Sequence, residues 1–198
     1  SLISSFPDFR FKIANVSVVG IDDFKDDTLA FIGLLSTDIN LKSVLSGKQY
    51  QINSVIIDKP RILGKVLKSG KANWDITKPT TDSAGAPVAD TSAPTKFAMQ
   101  LKEFRIIEAN IVYDDQQGNM YSKLENLNYT LKGDFTQDNF VLSNLLDVAK
   151  TTFKMGGIAY LNNVHTSLKA DLDMDMPKMK FTFKENEFAL NDLALGFD

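Results

Sequence analysis

From Leu168 to Met176 every second residue is apolar and every residue between is charged: Leu168-Lys169-Ala170-Asp171-Leu172-Asp173-Met174-Asp175-Met176. Only a strand sends neighbouring side chains to opposite faces, so this stretch predicts a β-strand with one dry face and one wet face. Lys178-Met179-Lys180-Phe181-Thr182-Phe183-Lys184 repeats the pattern after Pro177. Further alternation runs through Phe9 to Ile13, Gln49 to Asp58, Leu101 to Tyr113 and Tyr121 to Phe135. A chain patterned in this way is mainly β. The stretch Asn144 to Lys150 reads as strand too, because Thr151, Thr152 and Phe153 follow it.

One helix is predicted, near residues 41–46. Asn40 can cap its start and Gly47 can stand at C′, with Leu41, Val44 and Leu45 on one face. Hairpin turns are predicted at Asp115 to Asn119 and at Lys184 to Glu187. Gly156-Gly157 reads as a kink within a strand.

A weak repeat interrupts the alternation: apolar, any, Asn/Ser/Asp, apolar. It occurs at Ile13 to Val16, Ile52 to Val55, Leu124 to Leu127 and Leu190 to Leu193. Apolar residues three apart break the period of two. That spacing predicts a bulge at which the strand swaps its buried face and bends.

Lys78 to Lys96, KPTTDSAGAPVADTSAPTK, holds three of the six prolines and no apolar period. It reads as a flexible linker or loop. It divides the chain into an N-terminal β section, 1–77, and a C-terminal β section, 97–198. The chain begins at Ser1 and ends in a strand-like run at Asp198, which reads as a segment cut from a longer protein.

Function classes are narrowed by composition. The 198 residues carry 22 Lys+Arg against 25 Asp+Glu, so nothing in the charge suggests a nucleic-acid partner. There is no cysteine and one histidine, His165. That leaves no thiol nucleophile and little scope for metal or triad chemistry. No catalytic residue, metal site or cofactor is expected.

Asp171, Asp173 and Asp175 resemble the opening of a calcium loop, but Met176 stands where that loop needs Gly and Thr182 where it needs Glu. On a strand they stand in a row about 7 Å apart, too far for one ion. They read as a solvated strand face. The acid pairs Asp22/Asp23, Asp26/Asp27 and Asp114/Asp115 read as turn residues. His165 reads as a surface or structural residue, and Trp74 as a plug at one end of a core. The apolar faces carry the functional expectation. Leu168, Leu172, Met174, Met176, Phe181 and Phe183 are the candidate lining of a groove, with adaptable Met suited to irregular ligands. So little helix cannot cover a sheet, which must curl, pair with a second sheet or hold ligand.

The ordered set of motifs resembles the N-terminal region of the AsmA family. Phe6-Pro7-Asp8-Phe9 and Asn15 to Gly20 look like its opening. Asp38 to Gly47 looks like its strand and short helix. Val55 to Ile62 looks like its strand ending in Pro. Ser69 to Ile76 is similar to its Gly-x-x-Asn-Trp turn. Ile111 to Asp115 and Asn186 to Phe197 look like later strands. The resemblance implies a non-enzymatic protein of the bacterial envelope, tethered by an N-terminal helix outside this chain and projecting into the periplasm. It implies a role in outer-membrane homeostasis and lipid transport, as in TamB and the eukaryotic bridge-like lipid-transfer proteins.

The expectation is therefore a mainly β fold: long, strongly twisted, largely antiparallel sheets curling toward a groove or open barrel. Its expected ligand is phospholipid lying on the apolar face. The alternative is a structural cap or protein-docking scaffold with no lipid of its own. A glycan hydrolase would need two carboxylates about 5–10 Å apart in a cleft.

Overall fold

The structure is a computed structural model and describes residues 9–46, 50–76, 99–134, 137–184 and 186–197. The strands are β1 (Phe9–Val19), β2 (Thr28–Ile39), β3 (Tyr50–Asp58), β4 (Arg61–Val66), β5 (Met99–Asp115), β6 (Met120–Lys132), β7 (Asn139–Met155), β8 (Ile158–Asp175), β9 (Lys180–Phe183), β10 (Asn186–Leu190) and β11 (Leu193–Phe197). All eleven belong to one sheet, ordered β1-β2-β3-β5-β6-β7-β8-β10-β11. β4 lies between β2 and β5, and β9 pairs with β8. Pairing is antiparallel except at β3–β5 and β4–β5, which are parallel. These two parallel ladders join the N-terminal strands to the C-terminal ones. The mainly β, largely antiparallel sheet is as expected from the alternation, and the one α-helix among the described residues is the short one expected near residues 41–46. The proposed linker at 78–96 lies outside the described residues.

A line of irregularities crosses the sheet. Five residues along it, none of them glycine, have positive φ: Asn15 (56°), Lys59 (51°), Glu108 (51°), Asn126 (52°) and Asn163 (55°), whereas Asn191 (47°), of the fourth repeat, lies not in a bulge but in the turn between β10 and β11. Lys59 and Pro60 separate β3 from β4, which are two segments of one strand line. The N–H of Lys59 donates to Ile107 O (2.8 Å) and the N–H of Asn110 to Pro60 O (2.8 Å), so β5 brackets the break. Gly33 of β2 stands beside it. A Cβ there would lie 3.1 Å from Asp58 O, so the close approach needs glycine. Borrowed oxygens bond the amides freed along this line. Asn128 Oδ1 accepts from Glu108 N (3.1 Å), and Thr152 Oγ1 accepts from Asn163 N (3.3 Å).

The expected face swap does not happen. Ile106, Ala109 and Ile111 of β5, and Leu124, Leu127 and Tyr129 of β6, all pack into one cluster with Leu146 and Val148 of β7. The irregular residue absorbs the extra position, so apolar residues three apart stay on one face while the strand bends. Asn126 is thus a backbone device. Asn126→Val should cost about 1–3 kcal/mol, because a β-branched residue fits the left-handed region poorly. Asn126→Gly should stay within about 1 kcal/mol of the parent. Urea unfolding of the two variants checks this; equal stabilities would remove the device.

Other turns depart from expectation. Gly156 (φ 59°) and Gly157 (φ 82°) form the two-residue turn of the β7–β8 hairpin, not a kink. Two successive positive φ values suit the twist of a tight hairpin. The 115–119 hairpin forms between β5 and β6. The expected hairpin at 184–187 does not form, because β9 and β10 each pair with β8 in succession along its edge. Lys184 N donates to Asp171 O (2.9 Å) and Asp171 N to Asn186 Oδ1 (2.8 Å), which holds this junction to β8.

The helix α1 (Leu41–Ser46) forms as predicted. Asn40 Oδ1 caps it by accepting from Ser43 N (3.1 Å). Its packing differs from the expected apolar face. Ser43 is buried and its Oγ accepts from Gln51 N (3.0 Å), while Leu45 is 71% exposed. Gly47 lies outside the described residues.

Candidate functional site

The register aligns apolar residues across the whole sheet. Ile13, Leu35, Ile57 and Ile106 stand opposite one another in turn across β1, β2, β3 and β5. The row continues through Tyr129, Leu146, Leu168, Phe188 and Leu195 on β6, β7, β8, β10 and β11. On the other side of the bend, Val18, Ala30, Ile62, Ile111 and Leu124 form a second row. Between the two rows lie Ala109, Leu127 and Val148, 0%, 6% and 2% exposed. Glu108 and Asn126, beside them in sequence, are exposed on the far side. The bend therefore turns a tightly packed apolar floor inward and polar groups outward.

Among the described residues, helix is confined to α1 and a short 3-10 turn at Asp22–Phe24. Neither is long enough to roof an eleven-stranded sheet. Away from the floor, the apolar face is half-buried or exposed. Phe9, Phe11 and Ile13 are exposed at the β1 edge, and Leu193, Leu195 and Phe197 at the β11 edge.

The sequence-predicted lining residues are mostly brought together. Leu172 stands opposite Leu142 and Phe183, and Met174 opposite Phe140 and Phe181. Leu168 lies nearer the floor on the same face of β8. Phe181 and Phe183, 48% and 50% exposed, lie on the short β9. Met176 departs from expectation. It sits in the β8–β9 turn, where its carbonyl accepts from Met179 N (3.2 Å), because Pro177 and the positive φ of Met179 end the strand before it. Sequence reasoning missed the floor. The Leu124–Leu127 spacing carried the signal on β6, but Ile106–Ala109 and Val148–Thr151 lack the Asn that marks it.

Trp74 is not a core plug. It is 46% exposed and stacks on Tyr113 (centroids 6.2 Å, planes 22° apart), covering one margin of the apolar face. Gly64 makes room, since a Cβ there would meet Tyr113 Cδ2 at 3.0 Å. The buried member of the turn is Asn73, whose Oδ1 accepts from Lys65 N (2.9 Å) and whose Nδ2 donates to Leu63 O (2.6 Å). A polar pair interrupts the apolar face: Tyr129 OH donates to Asn144 Oδ1 (2.8 Å), and burial pushes the Tyr129 phenol pKa up.

The opposite face is polar. Arg10, Asp38, Ser54, Glu103, Lys132 and Ser143 stand opposite one another in turn, ending at Asp171. Arg10 grips Asp38 with two bonds (2.6 and 3.0 Å), and Ser54 Oγ donates to the same carboxylate (3.0 Å). Chiefly the Arg10 hydrogen bond holds Asp38 below the usual carboxylate range. A depressed folded pKa means a contribution complete above the unfolded carboxylate range and lost as pH falls through the folded value. Asp38→Asn should therefore cost most near neutrality, and its cost should shrink as pH falls below that range. Urea midpoints across pH check this; a cost independent of pH would overturn it.

The other acidic candidates are dispersed. Asp173 pairs with Lys184 (2.8 Å) and Asp175 with Lys178 (2.7 Å). Asp23 pairs with Lys71 (2.7 Å) and Asp27 with Lys65 (3.0 Å). Asp115 Oδ1 accepts from Gly118 N (2.7 Å) in its turn. His165 Nε2 lies 2.7 Å from Asp147 Oδ2, both about half exposed. Among the described residues no three His, Cys, Asp or Glu side chains gather to hold a metal ion. Nor is any helix long and apolar enough to cross a membrane.

No curated protein and no solved structure matches the chain. The family profile of AsmA matches residues 3–185. That span takes in the bend, the apolar floor and all six candidate lining residues, and the chain belongs to the AsmA family, a family associated with the bacterial envelope.

Proposed function

We propose that the apolar face binds phospholipid acyl chains, as a non-enzymatic element of lipid handling in the bacterial envelope. The observation that carries this reading is the apolar row running across nine strands, which no helix among the described residues is long enough to roof, set beside a closely packed floor. Acyl chains would lie on this apolar face, along the row and beside it over Leu172 and Phe183 on β8 and β9, with the head group left in water. The mechanism is passive. Each buried methylene contributes about 0.8 kcal/mol, so a chain of about 14 gains on the order of 11 kcal/mol before the cost of ordering is deducted. A phospholipid carries two such chains, so half of their sum is again about 11 kcal/mol, a dissociation constant of about 10 nM, tight enough for lipid to survive purification. The periplasmic setting, a membrane tether outside this chain and a role in outer-membrane homeostasis belong to the same proposal.

The test is native mass spectrometry of protein purified without detergent, followed by lipid extraction and by addition of phospholipid. Stoichiometric lipid is the expected result. A clean unliganded mass with no uptake would overturn the reading and leave the sheet as a structural cap or scaffold.

A further inference from the structure

On the polar face lies a hollow of about 500 Å³ lined by Ser17, Phe31, Arg61, Leu63, Asn110 and Val112, and bounded by Thr28 and by Ile62 of the second apolar row. Ser17 stands opposite Phe31, Phe31 opposite Arg61, and Arg61 opposite Asn110, so β1, β2, β4 and β5 each contribute one member of a single row. The Arg61 guanidinium lies 5.6 Å from the Phe31 ring centroid. That geometry holds the cation over an aromatic face and orients its donors.

Arg61 differs from its neighbours in charge balance. Lys59 faces Glu108 (3.7 Å) and Lys65 faces Asp27 (3.0 Å). Among the described residues no carboxylate lies within ion-pair distance of Arg61. The adjoining polar groups also offer donors. The Ser17 hydroxyl can donate, and among the described residues Asn110 Nδ2 is engaged only by a long bond to Glu108 O (3.5 Å), while its Oδ1 accepts from Asn126 N (3.4 Å). Leu63 and Val112 supply an apolar wall. A planar guanidinium fork matches a carboxylate with two parallel bonds, and an apolar wall beside it selects what the carboxylate carries.

We propose that this hollow is a binding site for a small carboxylate bearing a compact apolar arm, with Arg61 as its anion anchor. The carboxylate sits on Arg61, with Ser17 and Asn110 as further donors, and the arm rests on Leu63 and Val112. The site lies on the face opposite the lipid-binding surface and is independent of it.

The test uses 4-phenylbutyrate as probe and 4-phenylbutanol as its uncharged counterpart, followed by two-dimensional amide NMR of the whole chain. The acid should give saturable shifts at Leu63, Asn110 and Val112, leaving the floor amides of Ala109, Leu127 and Val148 unmoved. Loss of the charge-assisted bonds should weaken the alcohol about tenfold. Arg61→Gln should weaken the acid by a similar factor, and Arg61→Lys by less, since it keeps the charge without the fork. Equal affinity of acid and alcohol, unchanged affinity in Arg61→Gln, shifts confined to the floor, or no saturable shift at all would each overturn the proposal. Shifts confined to the floor would still leave the lipid-binding reading standing.

Discussion

Leu127→Asp is expected to abolish the cooperative unfolding transition of the protein. Leu127 is 6% exposed and packs between Ala109 and Val148 at the bend. Removing a buried Leu side chain alone costs about 2–5 kcal/mol. A carboxylate left there has no cationic partner on the floor, which adds several kcal/mol more or forces protonation. The sum rivals the whole stability of a domain, about 5–15 kcal/mol. Among the described residues the floor also has no second layer to reorganise around the new charge. Leu145→Asp is the control, because Leu145 is exposed and stands in register with Thr130 and Lys169 on the polar face. It should stay within about 0.5 kcal/mol of the parent. Thermal melts followed by far-UV circular dichroism distinguish the two. A Leu127→Asp protein that melts like the parent would mean that the bend is not held by its floor.

Combining Leu172→Asp with Phe183→Asp should remove bound phospholipid while leaving the fold intact. The two residues stand opposite each other on β8 and β9. Each substitution replaces an apolar contact with a charge that stays hydrated only if no acyl chain lies over it. Phe183 is half exposed and Leu172 only half-buried, so the protein itself loses little by the change. An acyl chain passing over two carboxylates would have to desolvate them, at a cost of several kcal/mol. Lipid occupancy should fall at least tenfold, since each 1.4 kcal/mol is about a factor of ten. Native mass spectra of parent and variant, with matched melting curves, make the comparison. Undiminished lipid in a folded variant would place the chains elsewhere on the sheet. Lipid absent from the parent as well would remove the lipid-binding reading itself.

Much of the sheet was legible in the alternation, and the reason is geometric. A strand face is written in every second residue, so Leu168 to Asp175 declares both its conformation and its dry side without reference to any other strand. The short helix was legible for a similar reason, since Asn40 caps it from the adjacent position. The set of ordered motifs likewise sufficed to indicate the AsmA family, because each lies within a short span of the chain.

Pairing required the tertiary structure. Nothing local places β3 and β4 beside β5 in parallel, or makes Lys59 and Glu108 adopt positive φ, for neither residue type prefers it. The strands on either side impose that conformation through the bonds from Lys59 N and Asn110 N. The same dependence explains the repeat. Asn126 announced an irregularity, but whether its strand would swap faces depended on the partners of Leu124 and Leu127. Met176 shows the limit from the other side: its place in the alternation matched a lining residue, yet Pro177 and the turn to Met179 ended the strand before it. Sequence alone determined which residues are apolar and in what local rhythm. The register between strands, which depends on contacts far apart in the chain, decided that these residues form one continuous row and that Ala109, Leu127 and Val148 become its floor.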